Sequence, residues 1–351
     1  MMQSSRLAGI DSITVETPRL KQHLLSCGNC DGEPVFFIHG NFSAADYFEA
    51  LMLEMPEQYH CVAPDLRGYG DTEDKVIDAR RGARDWSDDL FELLQALGIE
   101  SAHFLGWSAG AGAVMQLAID HPQCVRSLSL VAPVSPFGFG GSKDLEGNPN
   151  YSDFAGCGGG TVAKEFIAQI KRHDTGTDSD FSPRNVIRNG YFAKPWRMPR
   201  EDELLLASLK QKIAVDRYPG DFVESPNWPY VAPGKFGPIN AISAKYFNAQ
   251  KLLDIADKPP ILWLHGSDDK IISDQSYSDI AFLGSQGLVP DWPGNETCPP
   301  QPMVSQTRAL LERYGRFKEV RLEGVGHSPF IEQPDIFLNQ FLGFLETPPS
   351  C

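Results

Sequence analysis

The feature that most constrains this chain is a serine held between an apolar run and an alanine-rich segment at residues 102–118. The run predicts a buried strand and the segment predicts a helix, with Gly106-Trp107-Ser108-Ala109-Gly110 at their junction. A serine at such a junction needs a very tight turn, and its neighbours two residues away on each side must be small. Gly106 and Gly110 meet that requirement. We therefore expect the turn to expose the Ser108 hydroxyl beside the positive end of the helix dipole.

Predicted strands alternate with predicted helices on both sides of this turn. Among the helices, Asp85–Leu97 has apolar residues at helical spacing and ends at Gly98. The strands are predicted at 13–15, 23–27, 35–40, 61–64, 102–107, 127–132, 260–266 and 317–322. This alternation predicts an α/β fold with a doubly wound, mostly parallel sheet.

The alternation is interrupted between residues 134 and 251. Glycine, proline and aromatic residues are frequent there, and the pattern shows no buried strand. Helical patterns at Val162–Lys171 and Glu201–Asp216 predict a mostly helical cap, inserted after the strand at 127–132. The core would then consist of residues 1–133 and 252–351, with the cap or lid at 134–251.

Two later motifs carry the groups that a reactive serine needs. His265-Gly266-Ser267-Asp268-Asp269 places two carboxylates after one predicted strand, and Gly326-His327-Ser328-Pro329 places a histidine after the last one. A serine is activated by a histidine that takes its proton and by a carboxylate that holds this histidine in the correct tautomer. Such partners are expected at later strand ends in the order serine, acid, histidine, which is the order found here.

The chain resembles the α/β-hydrolase superfamily, in its cap-bearing branch, over nearly its whole length. The resemblance rests on the three motifs above and on two earlier ones, His39-Gly40-Asn41-Phe42 and Asp65-Leu66-Arg67-Gly68-Tyr69-Gly70. It implies that Ser108 is the nucleophile, that His327 is the general base and then the acid, and that Asp269, rather than Asp268, orients His327. It also implies an oxyanion hole formed by the backbone N–H groups of Asn41 and Ala109, with Phe42 as a nearby alternative.

Two differences from the motifs of related enzymes reduce the number of reactions that we expect this chain to catalyse. His39-Gly40-Asn41-Phe42 differs from the H-G-G-P-G motif of proline iminopeptidases, which disfavours aminopeptidase activity. Haloalkane dehalogenases share the His-Gly-Asn start and epoxide hydrolases share the cap, but both use an aspartate at the position of Ser108, so an alkyl-enzyme mechanism is not expected. The proline-rich stretch Gly284–Met303 is interpreted as an inserted ordered loop, placed either at the entrance or on the surface.

Aromatic residues of the cap predict an apolar substrate pocket. The expected lining residues are Phe42, Trp107, Tyr191, Trp196 and Tyr246. Some of the cap aromatics would instead form the core of the cap itself. Asp65 and Arg67 are expected to fix a loop near the oxyanion strand rather than take part in the chemistry.

Composition limits the partners. A formal net charge of −15, without a basic block, argues against nucleic acid. The sequence shows neither a secretory signal nor an apolar run long enough for a membrane span, and its seven cysteines are mostly scattered, so a cytoplasmic protein is expected. No metal ligand set, phosphate-binding glycine loop or nicotinamide motif is present, so neither a metal nor a cofactor is expected. A homodimer is left open.

These features favour a serine hydrolase that cleaves an apolar small-molecule ester, lactone or thioester through an acyl-enzyme intermediate. Two alternatives remain open. The same triad serves C–C bond hydrolases, hydroxynitrile lyases, cofactor-free dioxygenases and perhydrolases, because the cap pocket rather than the motifs decides among these reactions. The second alternative is a non-catalytic ligand receptor built on the hydrolase fold.

Overall fold

The computed structural model describes residues 6–349. Within that range the chain forms twelve strands and eleven α-helices, joined by turns and short 3₁₀ segments. The strands are β1 (Asp11–Glu16), β2 (Lys21–Gly28), β3 (Glu33–Ile38), β4 (Tyr59–Pro64), β5 (Ala102–Trp107), β6 (Val125–Val131), β7 (Ser142–Lys143), β8 (Asn148–Pro149), β9 (Phe222–Glu224), β10 (Val231–Pro233), β11 (Ile261–Gly266) and β12 (Phe317–Leu322). The helices are α1 (Glu49–Leu53), α2 (Arg84–Leu97), α3 (Ala109–Asp120), α4 (Lys164–Lys171), α5 (Pro183–Gly190), α6 (Glu201–Ser208), α7 (Pro238–Ala241), α8 (Ile280–Ser285), α9 (Met303–Tyr314), α10 (Pro329–Glu332) and α11 (Pro334–Glu346).

Of the strands in residues 6–349, eight form one sheet in the order β1-β2-β4-β3-β5-β6-β11-β12. Neighbours from β4 to β12 are parallel, whereas β2 pairs antiparallel with both β1 and β4. The predicted α/β fold with a mostly parallel sheet is confirmed. After β4 the chain crosses back over β3 to form β5, so the direction of winding reverses between β3 and β5. Loops that leave these two strands therefore meet at the place where open α/β sheets bind ligands.

Helices cover both faces of the sheet, which explains the apolar central strands. In β3, Phe36 and Ile38 pack on the face covered by α2 and α3, whereas Val35 and Phe37 pack on the face covered by α1 and α11. Because successive strand residues point to opposite faces, a strand buried on both sides must be apolar at every position. This is the pattern from which the strands were predicted.

The segment between β6 and β11, called the insertion below, is the part of the chain where the sequence predicts a cap. It contains the short helices α4 to α7 and the small hairpins β7–β8 and β9–β10, and turns and loops connect them. The helix predicted over Glu201–Asp216 ends at Ser208, because the chain then turns so that the Gln211 amide donates to the Gly68 carbonyl at 2.7 Å. Contact with the core thus replaces the last two turns of the predicted helix, and much of the insertion is irregular rather than helical.

The proline-rich loop at 284–303 packs against that insertion. The Trp228 indole donates to the Pro290 carbonyl at 2.8 Å, and Trp228 forms a small apolar cluster with Ala281 and Cys298. At the end of the loop, the Gln301 N–H donates to Asp279 at 2.8 Å. The loop thus contacts the insertion through Pro290 and the residue before α8, Asp279, through Gln301.

Candidate active site

Ser108 occupies the turn between β5 and α3 with φ 56° and ψ −118°. A positive φ at a residue other than glycine costs of order 1–3 kcal/mol and is retained where the surrounding structure enforces it. The Ser108 N–H donates to the Val131 carbonyl of β6 at 2.9 Å, and the Ser108 carbonyl accepts N–H groups from Ala111 and Val134, each at 3.1 Å. These bonds hold the turn in its strained conformation at the carboxyl end of the parallel strands.

The two glycines of the motif are required by close backbone contacts. A Cβ on Gly106 would lie 2.6 Å from the Cα of Ala111, and a Cβ on Gly110 would lie 2.4 Å from the His39 carbonyl oxygen. Gly40 is equally constrained, because a Cβ there would lie 2.8 Å from the Cβ of Ser108. The turn after β5 and the loop after β3 therefore pack directly on one another.

Asp269 and His327 meet beside this turn although 58 residues separate them. The His327 Nδ1 lies 2.8 Å from Asp269 Oδ2, while Asp269 Oδ1 accepts the N–H groups of Ile271 and Ile272 at 2.8 and 2.9 Å. An ionised carboxylate only accepts, so we place a proton on Nδ1, which leaves Nε2 able to accept another. Asp268 is exposed and accepts from Ser267 instead.

The loop that carries His327 is anchored from three directions. The Trp107 indole donates to the His327 carbonyl at 2.8 Å, and Glu332 accepts the Gly326 N–H at 2.8 Å. A Cβ on Gly326 would lie 2.4 Å from the Ala193 nitrogen, so the insertion packs against the loop. Trp107 therefore positions the histidine as well as forming part of the surrounding apolar wall.

Ser108 and His327 are not joined by a hydrogen bond in this structure. Within residues 6–349 the Ser108 hydroxyl makes no hydrogen bond, although only 8% of Ser108 and 2% of His327 are exposed. Catalytic hydrogen bonds are often long or misaligned in a free enzyme and close when substrate binds.

The predicted oxyanion donors lie where β3 and β5 end. Ala109 begins α3, so its N–H points out of the helix, and Phe42 has a positive φ of 47°. The Tyr191 hydroxyl lies 2.9 Å from the Asn41 carbonyl and 3.0 Å from the Phe42 carbonyl, to which it donates. Since the peptide group is planar, holding the Asn41 carbonyl also fixes the direction of the Phe42 N–H. Asn41 and Phe42 both remain candidates for the second donor.

Buried aromatic rings surround these groups. Trp107 packs edge-on to Tyr191 at 5.5 Å and to Phe330 at 5.1 Å, and Phe42 packs edge-on to Phe166 of α4 at 5.1 Å. The ring centroid of His327 lies 6.0 Å from that of Tyr191. Three of the five predicted pocket residues, Phe42, Trp107 and Tyr191, are thus brought to the candidate site.

The other two predicted pocket residues lie elsewhere. Trp196 is 37% exposed and packs edge-on to Phe192 at the surface of the insertion. Tyr246 donates to the Gly234 carbonyl at 2.7 Å and lines a separate cleft of about 590 Å³ with Arg84 and Gln116. The sequence marked both as aromatic residues of the insertion, but among residues 6–349 neither ring packs on Trp107, Tyr191 or His327. Trp196 and Tyr246 are therefore no longer candidates for the lining of the substrate pocket.

Residues that the sequence analysis did not select also shape the site. The Tyr47 hydroxyl and the Ser208 hydroxyl lie 2.8 Å apart, which joins the segment after β3 to α6, and Tyr47 packs on Trp107 with centroids 5.7 Å apart. Glu332 and Phe330 belong to α10, just after His327, where Glu332 accepts the Gly326 N–H and Phe330 packs on Trp107. Neither spacing nor motif distinguishes these residues from ordinary core positions.

Asp65 and Arg67 do not pair with each other. Arg67 forms a two-bond ion pair with Asp89, at 2.7 Å in both contacts, whereas Asp65 accepts from His23 at 2.7 Å and from the Ala45 N–H at 2.8 Å. Both residues therefore fix the loop after β4, as the sequence analysis expected.

Comparison with known proteins assigns the chain to a family. A family model described as the alpha/beta hydrolase fold matches residues 33–296, which is more than half of the chain. The chain belongs to the α/β-hydrolase fold family. The matched stretch includes Ser108 and Asp269.

Curated relatives of this α/β-hydrolase are similar over part of their length. Lipase 1 of Psychrobacter immobilis is 36% identical over 121 residues, which is 34% of this chain and 38% of the lipase. The 2-hydroxymuconate semialdehyde hydrolase of Pseudomonas sp. (strain CF600) is 37% identical over 103 residues, which is 28% of this chain and 36% of that enzyme. These matches thus span less than two fifths of the relatives' length.

Solved structures resemble this α/β-hydrolase over almost the whole chain. The naproxen esterase of Bacillus subtilis superposes with a TM-score of 0.61 at 15% identity, covering 96% of this chain and 91% of the esterase. A putative aryl esterase from Burkholderia cenocepacia gives a TM-score of 0.61 at 16% identity, covering 96% of this chain and 98% of that protein. These similarities establish the fold. Among residues 6–349, no helix is long and apolar enough to cross a membrane.

Proposed function

We propose that this α/β-hydrolase is a serine hydrolase that cleaves carboxylic esters of apolar small molecules, with lactones and thioesters as related substrates. The observation that carries the proposal is the 2.8 Å hydrogen bond between Asp269 and His327 beside the strained turn of Ser108. The local likeness to Lipase 1 supports an ester substrate, and the aromatic rings of Trp107, Tyr191 and Phe42 support an apolar one.

The proposed reaction proceeds through an acyl-enzyme. Ser108 Oγ attacks the substrate carbonyl carbon as its proton passes to Nε2 of His327, and Asp269 stabilises the resulting imidazolium. The negative charge on the carbonyl oxygen is held by the N–H of Ala109 and that of Asn41 or Phe42. His327 then protonates the departing alkoxide, leaving the acyl group on Ser108. Water then attacks this ester and gives its proton to His327. As the acyl–Oγ bond breaks, His327 returns that proton to Ser108 Oγ, and the carboxylic acid leaves.

Two hydrogen bonds, one to His327 and one to Asn41, support these steps because they hold the general base and the oxyanion donor in place. General-base catalysis contributes about 10²–10⁴-fold to the rate, and a single oxyanion donor contributes about 10²–10³-fold. Both depend on geometry held in advance, which the bonds from Trp107 to His327 and from Tyr191 to Asn41 supply here.

Labelling with a fluorophosphonate probe, followed by peptide mapping, tests the nucleophile. We expect an adduct on the Ser108 peptide that Ser108→Ala lacks, together with a fall in ester turnover of at least about 10⁴-fold. Ser278→Ala, a change at an exposed serine of the same chain, is the matched control and keeps full activity. A folded Ser108→Ala protein with undiminished turnover would refute the proposal.

The likeness to 2-hydroxymuconate semialdehyde hydrolase supports a second candidate, hydrolysis of a C–C bond with the same triad. A panel of apolar esters, lactones and vinylogous diketones separates the two. Turnover of diketones, with esters left intact, favours the second candidate. Tight ligand binding without turnover on any member of the panel favours a receptor.

A further inference from the structure

A second serine, histidine and aspartate are in contact one after the other at the antiparallel edge of the sheet. Ser12 Oγ lies 2.9 Å from His23 Nε2, and His23 Nδ1 lies 2.7 Å from Asp65 Oδ2. Ser12 is on the edge strand β1, His23 is on β2, and Asp65 follows β4. Ser12 is exposed, and its hydroxyl already contacts the imidazole, in contrast to Ser108.

Arg6 determines the tautomer of His23. Its Nη2 lies 3.2 Å from His23 Nε2, and a guanidinium group can only donate hydrogen bonds. Nε2 must therefore carry a lone pair, so the ring proton resides on Nδ1 and is donated to Asp65. A histidine that acts as general base toward a serine needs this tautomer.

Asp65 is fixed and charged. Its Oδ1 accepts the Ala45 N–H at 2.8 Å, and its Oδ2 accepts the Asp71 N–H at 2.9 Å in addition to His23. Burial alone would raise the pKa of Asp65, but the hydrogen bond and charge of His23, with further help from His39 and Ala45, hold that pKa below its usual value. The carboxylate is thus available to stabilise an imidazolium at His23.

The Arg6 guanidinium is held next to the Ser12 hydroxyl. It lies within 4.0 Å of Asp46 and 3.8 Å of Glu49 and Asp71, and its Nη2 shares with Ser12 the same acceptor on His23. A fixed cation at this place can stabilise negative charge that forms on a group attacked by Ser12. The same cation disfavours a metal ion between His23, Asp65 and Asp71, although their ligand atoms are close enough to reach one.

We propose that Ser12 is a second reactive serine, which takes acyl or phosphonyl groups from activated esters that reach the edge of the sheet. Ser12 Oγ forms a bond to the carbonyl carbon or phosphorus while its proton passes to His23 Nε2. The bond to the leaving group then breaks, and the leaving group takes that proton from His23. The product is an ester on Ser12, with Arg6 and Asp65 stabilising the charges that develop on either side of the imidazole.

Labelling of the Ser108→Ala protein tests this site independently of the proposed function. The probe is a fluorophosphonate, and the readout is the tryptic peptide 7–19, in which Ser12 is the single serine. We expect an adduct on Ser12 that is absent from Ser108→Ala/Ser12→Ala. Labelling should be at least about 100-fold slower in Ser108→Ala/His23→Gln, because the general base is removed. Adducts at Ser108 and Ser12 fall on different peptides, so each proposal can fail without the other.

Exposed hydroxyls without a histidine partner provide an internal control in the same sample. Ser152 and Ser278, two exposed serines far from β1 in the chain, should label at least about 100-fold more slowly than Ser12. This comparison needs no further variant and holds if His23→Gln does not fold. An unlabelled Ser12, or a Ser12 that labels at the rate of Ser152 and Ser278, overturns the proposal.

Discussion

At Asp269, the two oxygens of one carboxylate accept from different groups. Oδ1 binds the N–H groups of Ile271 and Ile272, and Oδ2 binds His327. The backbone bonds fix the plane of the carboxylate, and this plane in turn fixes the orientation of the imidazole. The neighbouring Asp268 has the same charge but is exposed and contacts Ser267.

Replacing Asp269 by asparagine should lower kcat by about 10⁴-fold, because an amide can stabilise the wrong histidine tautomer and cannot balance an imidazolium. Steady-state kinetics on an ester measures this loss. Asp268→Asn removes the adjacent carboxylate and should leave kcat within about twofold of wild type, since surface changes of this kind have small effects. Equal losses in the two variants would contradict the assignment of Asp269.

Tyr191→Phe tests whether the Tyr191 hydroxyl supports the loop that carries the proposed oxyanion donors Asn41 and Phe42. The change removes the hydroxyl that holds the carbonyls of Asn41 and Phe42 and keeps the ring that packs on Trp107. A hydrogen bond of this kind contributes about 0.5–1.5 kcal/mol, so kcat should fall by up to about tenfold with little change in KM. Tyr277→Phe, at an exposed tyrosine, is the control. A rise in KM at constant kcat would instead assign Tyr191 to substrate binding.

At the scale of the element, helices α3 and α11 each contain a glycine, but only the glycine of α3 is required by close packing. Gly110 of α3 lies against the backbone of β3, where an added Cβ would come within 2.4 Å of the carbonyl oxygens of Ile38 and His39. Gly343 of α11 is exposed, and an added Cβ would have no atom within 4 Å. The first glycine permits close packing of helix on strand, whereas the second only adds backbone freedom to the unfolded chain.

The substitution of alanine for glycine should therefore have opposite signs in the two helices. Gly343→Ala should raise the free energy of unfolding by about 0.5–1 kcal/mol, the usual difference in helix propensity. Gly110→Ala should lower it by more than about 2 kcal/mol, because the backbone of α3 must move away from β3. Urea denaturation followed by circular dichroism measures both values, and a stabilising effect of Gly110→Ala would show that the two elements are not in close contact.

At the scale of the whole molecule, buried polar groups tie the insertion, the proline-rich loop and the core together. Gln301 donates to the Gly138 carbonyl at 2.9 Å and to Gln306 of α9 at 2.7 Å, and its N–H donates to Asp279. Burial raises the pKa of Asp279 to about 6, although the N–H groups of Gln301 and Ala281 partly offset that effect. A charge at the centre of this network therefore depends on pH.

The pH dependence of stability should reveal Asp279. A carboxyl whose pKa is higher in the folded than in the unfolded chain binds its proton more tightly when folded, so its stabilising contribution is present at low pH. That contribution should be lost as the pH rises from about 4 to about 6, by on the order of 2 to 3 kcal/mol. The free energy of unfolding of Asp279→Asn, measured alongside wild type across this range, should lack this decrease. Parallel curves for the two proteins would argue against a raised pKa.

Local sequence patterns were sufficient to predict the central strands of the sheet and helix α2. Strands buried on both faces must be apolar throughout, so β3, β5, β6 and β11 were evident as short apolar runs, and α2 was evident from its 3.6-residue period and its terminal Gly98. The turn at Ser108 was also predictable, because few residues other than glycine fit two positions on either side of it. Each of these features depends on residues close together in the chain, so it can be recognised from the sequence.

Tertiary structure alone decided what meets at the site and what does not. It placed the Tyr191 hydroxyl on the carbonyls of Asn41 and Phe42, left Trp196 packed on Phe192, and put Tyr246 in a separate cleft. It also joined Ser12, His23 and Asp65, which share no recognisable motif. These contacts link strands and loops far apart in the chain, so they depend on register, on the order of strands in the sheet and on the path of an irregular insertion. Hydrophobic periodicity carries no information about the path of the insertion, so the sequence could not predict which of its aromatic residues contact Trp107 and His327.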